Sequence, residues 1–238
     1  MSEKQTYHNV TSDTVTLVIF CKRPLMYQGK QRLAASIGAE SAFYIAKALL
    51  NCALEDANAW PGRVVLSISN KKDAVWASTL LTRSHSVIVQ NSGNLGRRIN
   101  CIDKQLRIIN HQKLVFIGTD APMLTTKHYK QTIHALIHHD VILSMAKDGG
   151  VVIMANNQPW PNIENLPWST EHLGTALSQA CLAEKLNLAY ITSGYDIDIA
   201  QDLLKLQHDL KEDPRNARQK LHQLVKLFTE ENDELDRA

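Results

Sequence analysis

Apolar runs alternate with stretches of helical periodicity along most of the chain, and this alternation predicts an α/β fold. Residues 14–21 form a β-branched apolar run without a charge, which is typical of a strand buried on both faces. Residues 40–57 carry apolar side chains at helical spacing, for example Phe43, Ala46 and Leu50. A polar loop is predicted between these two elements. Further strands are predicted at 63–68, 86–90, 113–118, 140–146, 151–155 and 188–191, and further helices at 73–82, 96–110, 126–138, 170–186 and 199–210.

Strands that alternate with helices predict a mainly parallel sheet covered on both faces. In such sheets ligands bind outside the carboxyl ends of the strands, so candidate chemistry is sought in the loops that follow the strands. The length of 238 residues suits one domain, predicted over 14–211, and a C-terminal segment, 214–238. That segment combines an acidic tail with a helix whose apolar face is formed by Leu221, Leu224, Val225 and Phe228.

Charge and cysteine content exclude several classes of function. The 26 basic and 24 acidic residues give a net charge of +2, which argues against a general nucleic-acid or membrane surface. The four cysteines are scattered and form no metal-binding pair, as expected for a reduced cytoplasmic protein. Residues 1–13 are polar and lack the apolar core of a signal peptide, and no apolar run could span a bilayer. A cytoplasmic location is therefore expected, and a homodimer is left open.

The first candidate site is the loop after the first strand. Residues 14–39 contain no acidic residue but include Lys22, Arg23, Lys30 and Arg32. Four cations without a counter-charge at the end of a buried strand could form a phosphate cradle. The alternative is a surface loop that is basic without a ligand.

The second candidate is Asp120 in the segment 118–122, Gly-Thr-Asp-Ala-Pro, which follows the strand at 113–118. Gly118 is expected to allow a tight turn, and Asp120 would then lie at the rim where ligands bind. A carboxylate that faces a phosphate-binding loop needs a cation between them, and magnesium prefers carboxylates together with substrate phosphates. The alternative is that Asp120 caps the helix or turn that follows.

Two further segments carry acidic residues after predicted strands. Asp196 and Asp198 precede the helix at 199–210, and one of them is expected to reach the site while the other supports a turn. Asp198 is the better placed, although helix capping would also explain it. Asp148 lies in Lys-Asp-Gly-Gly at 147–150, where a plain hairpin turn is as good an explanation as a ligand that approaches the backbone.

Six ordered segments between residues 15 and 206 together resemble one family. Lys22, Pro24, Lys30, Arg32 and Leu33 match its Lys-x-Pro and Lys-Thr-Arg-Leu motifs. The other matching segments are 93–98 for Gly-Asp-Leu-Gly-Glu-Arg, 118–122 for Gly-Thr-Asp-x-Pro, 148–151 for Asp-Gly-Gly-Tyr, 167–170 for Pro-Trp-Ser-Thr and 196–203 for Asp-x-Asp-Thr-x-x-Asp-Leu. The family is that of the GT-A-like transferases known as radical-SAM/selenodomain-associated transferases or arsenosugar-biosynthesis glycosyltransferases.

This resemblance implies the nucleotide-diphospho-sugar-transferase fold, a three-layer α/β/α sandwich around a mixed, mainly parallel sheet. It also implies a metal ion held near Asp120 and Asp198, for which magnesium or manganese is expected. Asp120 and Asp148 are the candidate catalytic residues, and Asp148 would orient an acceptor or serve as a base. The implied substrate is a nucleotide sugar or nucleotide. The implied substrate-binding residues are Lys22, Lys30, Arg32, Gly118, Trp168 and Ser169.

The chain departs from the family pattern at a few positions. Tyr27 replaces a glycine, Gln31 a threonine, Asn94 and Arg97 an acidic pair, and Val151 a tyrosine. The leading hypothesis is a metal-dependent transferase with a nucleotide-activated donor, most simply a glycosyltransferase. A nucleotidyltransferase that releases pyrophosphate and a degenerate protein that binds a nucleotide or a partner remain as alternatives.

Overall fold

The structure is a computed structural model that describes residues 15–235, with side chains described up to Phe228. The polar stretch 1–13, Thr14 and the last three residues of the acidic tail lie outside the described residues.

Seven strands form one sheet, each close to the stretch predicted from its apolar run. They are β1 (Val15–Cys21), β2 (Val64–Ile68), β3 (Ser86–Val89), β4 (Lys113–Ile117), β5 (Val141–Met145), β6 (Val151–Asn156) and β7 (Leu188–Tyr190). Their order across the sheet is β3-β2-β1-β4-β6-β5-β7. All neighbouring strands run parallel except that β6 is antiparallel to both β4 and β5. The mixed, mainly parallel sheet agrees with the predicted fold class.

Helices cover both faces of this sheet. They are α1 (Gln31–Ile37), α2 (Ala39–Ala59), α3 (Ala74–Ser78), α4 (Leu95–Ile108), α5 (Thr126–Ala135), α6 (Leu173–Ala183), α7 (Ala200–Asp209) and α8 (Asn216–Leu235). One core cluster packs β1, β2 and β4 against α2, α3 and α5, and a second packs the opposite face against α4 and α6. The three-layer architecture follows, because each face of the sheet buries its apolar side chains under its own helices.

Two of the sequence predictions were wrong in detail. Residues 31–37, predicted as part of a loop, form α1, which buries only Leu33 and begins after Lys30 without a side-chain cap. The helix predicted at 73–82 is shorter: α3 begins at Ala74, after a 3-10 turn at Lys71–Asp73, and ends at Ser78. Both segments are short and bury little, so their periodicity carried little information.

The C-terminal helix α8 packs against α2 and α7 through the apolar face predicted from its sequence. Its Arg218 is fully buried and donates to the Asp56 carboxylate at 2.6 Å and to the Glu55 carboxylate at 3.0 Å, both on α2. Arg218 also donates to the carbonyl of Pro122 at 3.0 Å. Pro122 belongs to the loop after β4, so the Arg218 side chain joins α8 to that loop.

No helix among residues 15–235 is both long enough and apolar enough to cross a membrane.

Candidate active site

Four connections meet at one edge of the sheet, where β1, β4, β5 and β7 have their carboxyl ends. These connections are residues 22–30, 118–125, 146–150 and 191–199. The antiparallel β6 begins at this same edge, because Ile117 near the end of β4 pairs with Ile153 near the start of β6. A cavity of about 410 Å³ opens here. It lies where binding sites of open α/β sheets are expected.

The structure brings Lys30 of the first loop together with Asp120 and Asp198. The Lys30 ammonium lies 3.0 Å from Oδ1 of Asp120 and 3.5 Å from Oδ1 of Asp198, and it donates to the carbonyl of Ile197. Arg32 adds a second cation, with Nη2 at 2.6 Å from Oδ2 of Asp198. The two aspartates are far apart in sequence, and the basic loop holds them as a pair.

Asp120 does not cap the helix that follows it. At the start of α5, Nδ1 of His128 instead accepts from the Thr125 amide at 3.1 Å and lies 2.9 Å from the Thr125 hydroxyl. The Asp120 carboxylate contacts Lys30 and accepts a long bond of 3.4 Å from the Thr119 hydroxyl. The Asp120 carbonyl accepts from the Ile197 amide at 2.9 Å, which ties the loop after β4 to the loop after β7.

Capping at α7 is performed by Asp202 and leaves Asp198 free for the cavity. The Asp202 carboxylate accepts from the backbone amides of Asp198 at 2.8 Å and of Ile199 at 2.9 Å. Asp196 also lines the cavity, together with Asp198. The expectation that only one of these two aspartates would reach the site was therefore wrong. The loop is irregular at this point, so the alternation of an extended chain does not apply.

Asp196 lines the cavity with a raised pKa. Burial first, and then the neighbouring charges of Asp148, Asp198 and Asp120, raise the pKa of Asp196 to about 6, against a smaller opposing effect of Lys30. Sequence reasoning did not select Asp196 as a site residue, although its Asp-x-Asp motif was visible. Burial is the largest cause of this raised pKa, and the neighbouring carboxylates add to it.

The β5–β6 hairpin places Asp148 at the cavity and also forms a tight turn. Oδ1 of Asp148 accepts from the Gly150 amide at 3.1 Å. Gly149 has a positive φ of 84°, and a Cβ at this position would lie 1.9 Å from the carbonyl oxygen of Glu171. The backbone that lies close to Gly149 is therefore that of Glu171, in the segment before α6.

Trp168 and Ser169 line the same cavity, as does Gly118. Nε1 of Trp168 donates to the carbonyl of Ile163 at 2.8 Å, which fixes the ring. The ring also packs against Gly96, and a Cβ at Gly96 would lie only 2.4 Å from Nε1. The backbone at Gly118 does not require a glycine. Gly118 has no positive φ, and a Cβ there would meet only the Asp120 amide, at 4.0 Å.

The other two cations of the first loop lie differently. Arg23 stacks over the Trp76 ring, with its Cζ 5.7 Å from the ring centroid, and its Nη1 lies 3.7 Å from Asp73. It is therefore directed toward α3. Lys22 is exposed and is not among the described residues that line the cavity.

The residues that depart from the family motif at the start of α4 have structural contacts. Oδ1 of Asn94 accepts from the Arg97 amide at 3.0 Å, as an N-cap does, and its Nδ2 donates to the carbonyl of Glu164 at 2.6 Å. Arg97 lies 3.7 Å from the Glu164 carboxylate. Leu95 and Ile99, on the cavity side of the same helix, contribute apolar surface to the site.

The donor set fits a hard divalent cation. Carboxylate oxygens are the ligands that magnesium and manganese prefer, and magnesium commonly takes one or two carboxylates together with substrate phosphates. Within residues 15–235, no group of three or more His, Cys, Asp or Glu residues is arranged to hold a metal. Asp120 and Asp198 would therefore supply two ligands to such an ion, and water or phosphate oxygen atoms would supply the others.

The sequence model of the family described as uncharacterized proteins conserved in bacteria (DUF2064) matches residues 53–170, slightly less than half of the chain. No curated protein matches the sequence.

Solved structures resemble the whole fold. A provisionally named nucleotide-diphospho-sugar transferase from Desulfovibrio desulfuricans G20 has a TM-score of 0.80 at 16% identity, over 91% of this chain and 98% of that one. A cytidylyltransferase from Leptospira borgpetersenii has a TM-score of 0.53 at 14% identity, over 90% and 94%. The 4-diphosphocytidyl-2C-methyl-D-erythritol synthase of Anaerococcus prevotii has a TM-score of 0.51 at 11% identity, over 82% and 94%. At these identities the likeness concerns the fold, and this chain has the fold of the nucleotide-diphospho-sugar transferases.

Proposed function

We propose that this protein is a metal-dependent transferase that uses a nucleotide-activated donor, most simply a glycosyltransferase. The observation that carries the proposal is the convergence of Asp120, Asp198 and Lys30 at the carboxyl edge of the sheet, with Lys30 within 3.5 Å of both carboxylates. A carboxylate pair next to cations suits a diphosphate bound through a divalent cation. The whole-length likeness to a nucleotide-diphospho-sugar transferase fold supports the donor class.

Each residue has a role that its position supports. Lys30 and Arg32 would neutralise the donor phosphates, and the exposed Lys22 would contribute from the edge of the loop. Asp120 and Asp198 would hold magnesium or manganese. When bound, such an ion supplies stabilisation of the charge that develops on the leaving nucleotide.

The cavity would also receive the acceptor. Asp148 lines the cavity, as Trp168 and Ser169 do, so it could orient an acceptor hydroxyl or take its proton. Asp196, with its pKa raised to about 6, is a second base candidate close to neutral pH. Phe20 and Leu95 supply apolar surface that would exclude water from the bound substrate.

A nucleotidyltransferase is the second candidate, favoured by the structural likeness to a cytidylyltransferase along 90% of this chain. In that reaction an acceptor oxygen attacks the α-phosphate of a nucleoside triphosphate, and pyrophosphate leaves. Release of pyrophosphate from a triphosphate, without consumption of any nucleotide sugar, would favour this candidate.

Calorimetry with a panel of nucleotide sugars and magnesium tests the proposal. We expect one nucleotide sugar to bind, and we expect Asp120→Asn to weaken its magnesium-dependent binding at least tenfold and to reduce turnover further. The matched control is Glu184→Gln, which also removes one carboxylate. Glu184 is exposed at the far end of α6, about 15 Å along the helix from the cavity.

The outcomes separate the three hypotheses. Binding and turnover that are unchanged in Asp120→Asn would refute the role of the carboxylate pair. A purified protein that binds neither a nucleotide sugar, a nucleoside triphosphate nor a divalent cation would support the degenerate alternative.

A further inference from the structure

Lys30 lies where a cation between the two carboxylates would be bound. Its side chain is only 9% exposed, whereas those of Asp120 and Asp198 are 45% and 35% exposed. The ammonium contacts Oδ1 of both aspartates and the carbonyl of Ile197, so its donors are directed to three oxygen atoms. Among the described residues, no other cation is found in contact with both carboxylates.

The backbone is held in an unfavourable conformation to place this side chain. Lys30 has φ of 49° and follows Gly29, whose φ is 77°. A left-handed conformation costs a lysine on the order of 1 kcal/mol, and a glycine at this position would avoid that cost. The contacts of the Lys30 ammonium with two carboxylates and a carbonyl would offset this cost.

We propose that Lys30 is an internal counter-ion that competes with a divalent cation for Asp120 and Asp198. In the nucleotide-free protein the ammonium keeps the carboxylates together and weakens cation binding. Donor phosphates offer the ammonium an alternative partner, which frees the carboxylate oxygens. Lys30 is thus a positioning residue for the carboxylate pair as well as a ligand of the donor. This inference rests on the proposed function, since it assumes a phosphate-bearing donor.

Competition follows from charge. The Lys30 ammonium lies within 3.5 Å of Oδ1 of both aspartates, so it would repel a cation bound to the same carboxylates. Two like charges a few ångströms apart near a protein surface repel each other strongly, so the ammonium costs a competing divalent cation at least about tenfold in affinity. Arg32 differs because it contacts only Asp198, through Oδ2, and is 71% exposed.

Coupling between the two ligands is the functional consequence. If phosphates draw Lys30 away, a nucleoside diphosphate raises the affinity for the cation, and the cation raises the affinity for the nucleotide by the same factor. The protein would then bind little free divalent cation and would assemble its site only with the donor present.

Titration of Mn²⁺, followed by the electron paramagnetic resonance signal of the free ion, tests this inference. The wild type, Lys30→Met and Arg32→Met are compared without nucleotide and with UDP, GDP, ADP and CDP. We expect Lys30→Met to bind Mn²⁺ at least about tenfold more tightly than the wild type without nucleotide. We also expect nucleotide to increase its Mn²⁺ affinity by a smaller factor than in the wild type.

Arg32→Met is the matched control, because it removes one positive charge next to Asp198 but leaves the bridge of Lys30 intact. Its gain in Mn²⁺ affinity should be clearly smaller than that of Lys30→Met. Lys30→Gln is a second variant that loses the charge but can still donate to the Ile197 carbonyl, and it should behave as Lys30→Met does. Thermal melting followed by circular dichroism verifies that the variants are folded.

Failure of this inference and failure of the proposed function give different results. If Lys30→Met binds Mn²⁺ no more tightly than the wild type or Arg32→Met, while the wild type binds Mn²⁺ with a nucleoside diphosphate, the competition is refuted and the transferase proposal stands. If the wild type binds Mn²⁺ neither alone nor with any of the four diphosphates, both are refuted.

Discussion

Replacement of Arg218 by methionine is expected to destabilise the whole domain. The Arg218 side chain is 0% exposed and joins α8 to α2 and to the loop after β4. Methionine retains much of the side-chain volume but donates no hydrogen bond. The Arg218→Met variant therefore removes one partner of a buried charge pair and leaves the carboxylates of Asp56 and Glu55 behind.

The contacts of Arg218 determine how much the free energy of unfolding should fall. Loss of one partner of a buried ion pair typically costs about 3–5 kcal/mol, because the remaining charge is uncompensated. Asp56 would keep hydrogen bonds from Tyr129 at 2.8 Å and from Arg215 at 3.1 Å, and Glu55 is partly exposed. The expected loss is therefore near the lower limit, about 3 kcal/mol. That is a large part of the roughly 5–15 kcal/mol that stabilises a typical domain.

Urea denaturation followed by circular dichroism measures this loss as a lower midpoint with an unchanged slope. The control is the double variant Arg218→Met/Asp56→Asn, which removes both charges. It should lose at least about 1 kcal/mol less than the sum of the two single variants, because residues in contact are coupled. A loss below about 1 kcal/mol for Arg218→Met alone would refute the reasoning, since the buried pair would then contribute little.

Two other features give predictions about stability. Burial alone would raise the pKa of Asp213, but hydrogen bonds from Arg215 outweigh it and hold that pKa below its ordinary value. The stability that this contributes is therefore complete above the unfolded pKa of 3.8 and is lost as pH falls below it, so Asp213→Asn should flatten the decline measured by urea denaturation between pH 5 and 3. An equal decline in both proteins would contradict this. Gly149→Ala should cost about 2 kcal/mol or more, since its φ is 84° and the Cβ meets a carbonyl oxygen at 1.9 Å. Gly118→Ala, the matched control, has room and should cost less than about 0.5 kcal/mol, so similar midpoints for the two variants would refute the assignment.

The strands and their carboxyl edge could be predicted from the sequence because an apolar run is a local property. All strands lie within a few residues of their predicted stretches, and β1 is buried along nearly its whole length, as its uncharged run indicated. The loops after β1, β4 and β7 could be selected as candidate site segments for the same reason. Once the strands are predicted, the loop that follows each parallel strand lies at the carboxyl edge, where ligands bind.

The predictions failed where local signals were weak or ambiguous. Residues 31–37 form a helix that buries only Leu33, so no apolar stripe marked it. Asp196 and Asp198 both line the cavity, because the irregular loop turns both toward it while Asp202 takes the capping role. The sequence contains candidates for each role but does not assign them.

From the sequence alone, the chain was recognisable as an α/β protein with acidic and basic residues after its strands. Only the tertiary structure decided that Lys30 lies between Asp120 and Asp198, because contacts across 90 and 168 positions depend on how the whole sheet and its helices pack. The same holds for Arg218, whose buried contacts make the C-terminal helix a support of the Asp120 loop. The periodicity that predicts a helix or strand depends only on residues that are neighbours in the chain. The partner of a buried charge depends instead on which distant surfaces the hydrophobic effect packs together.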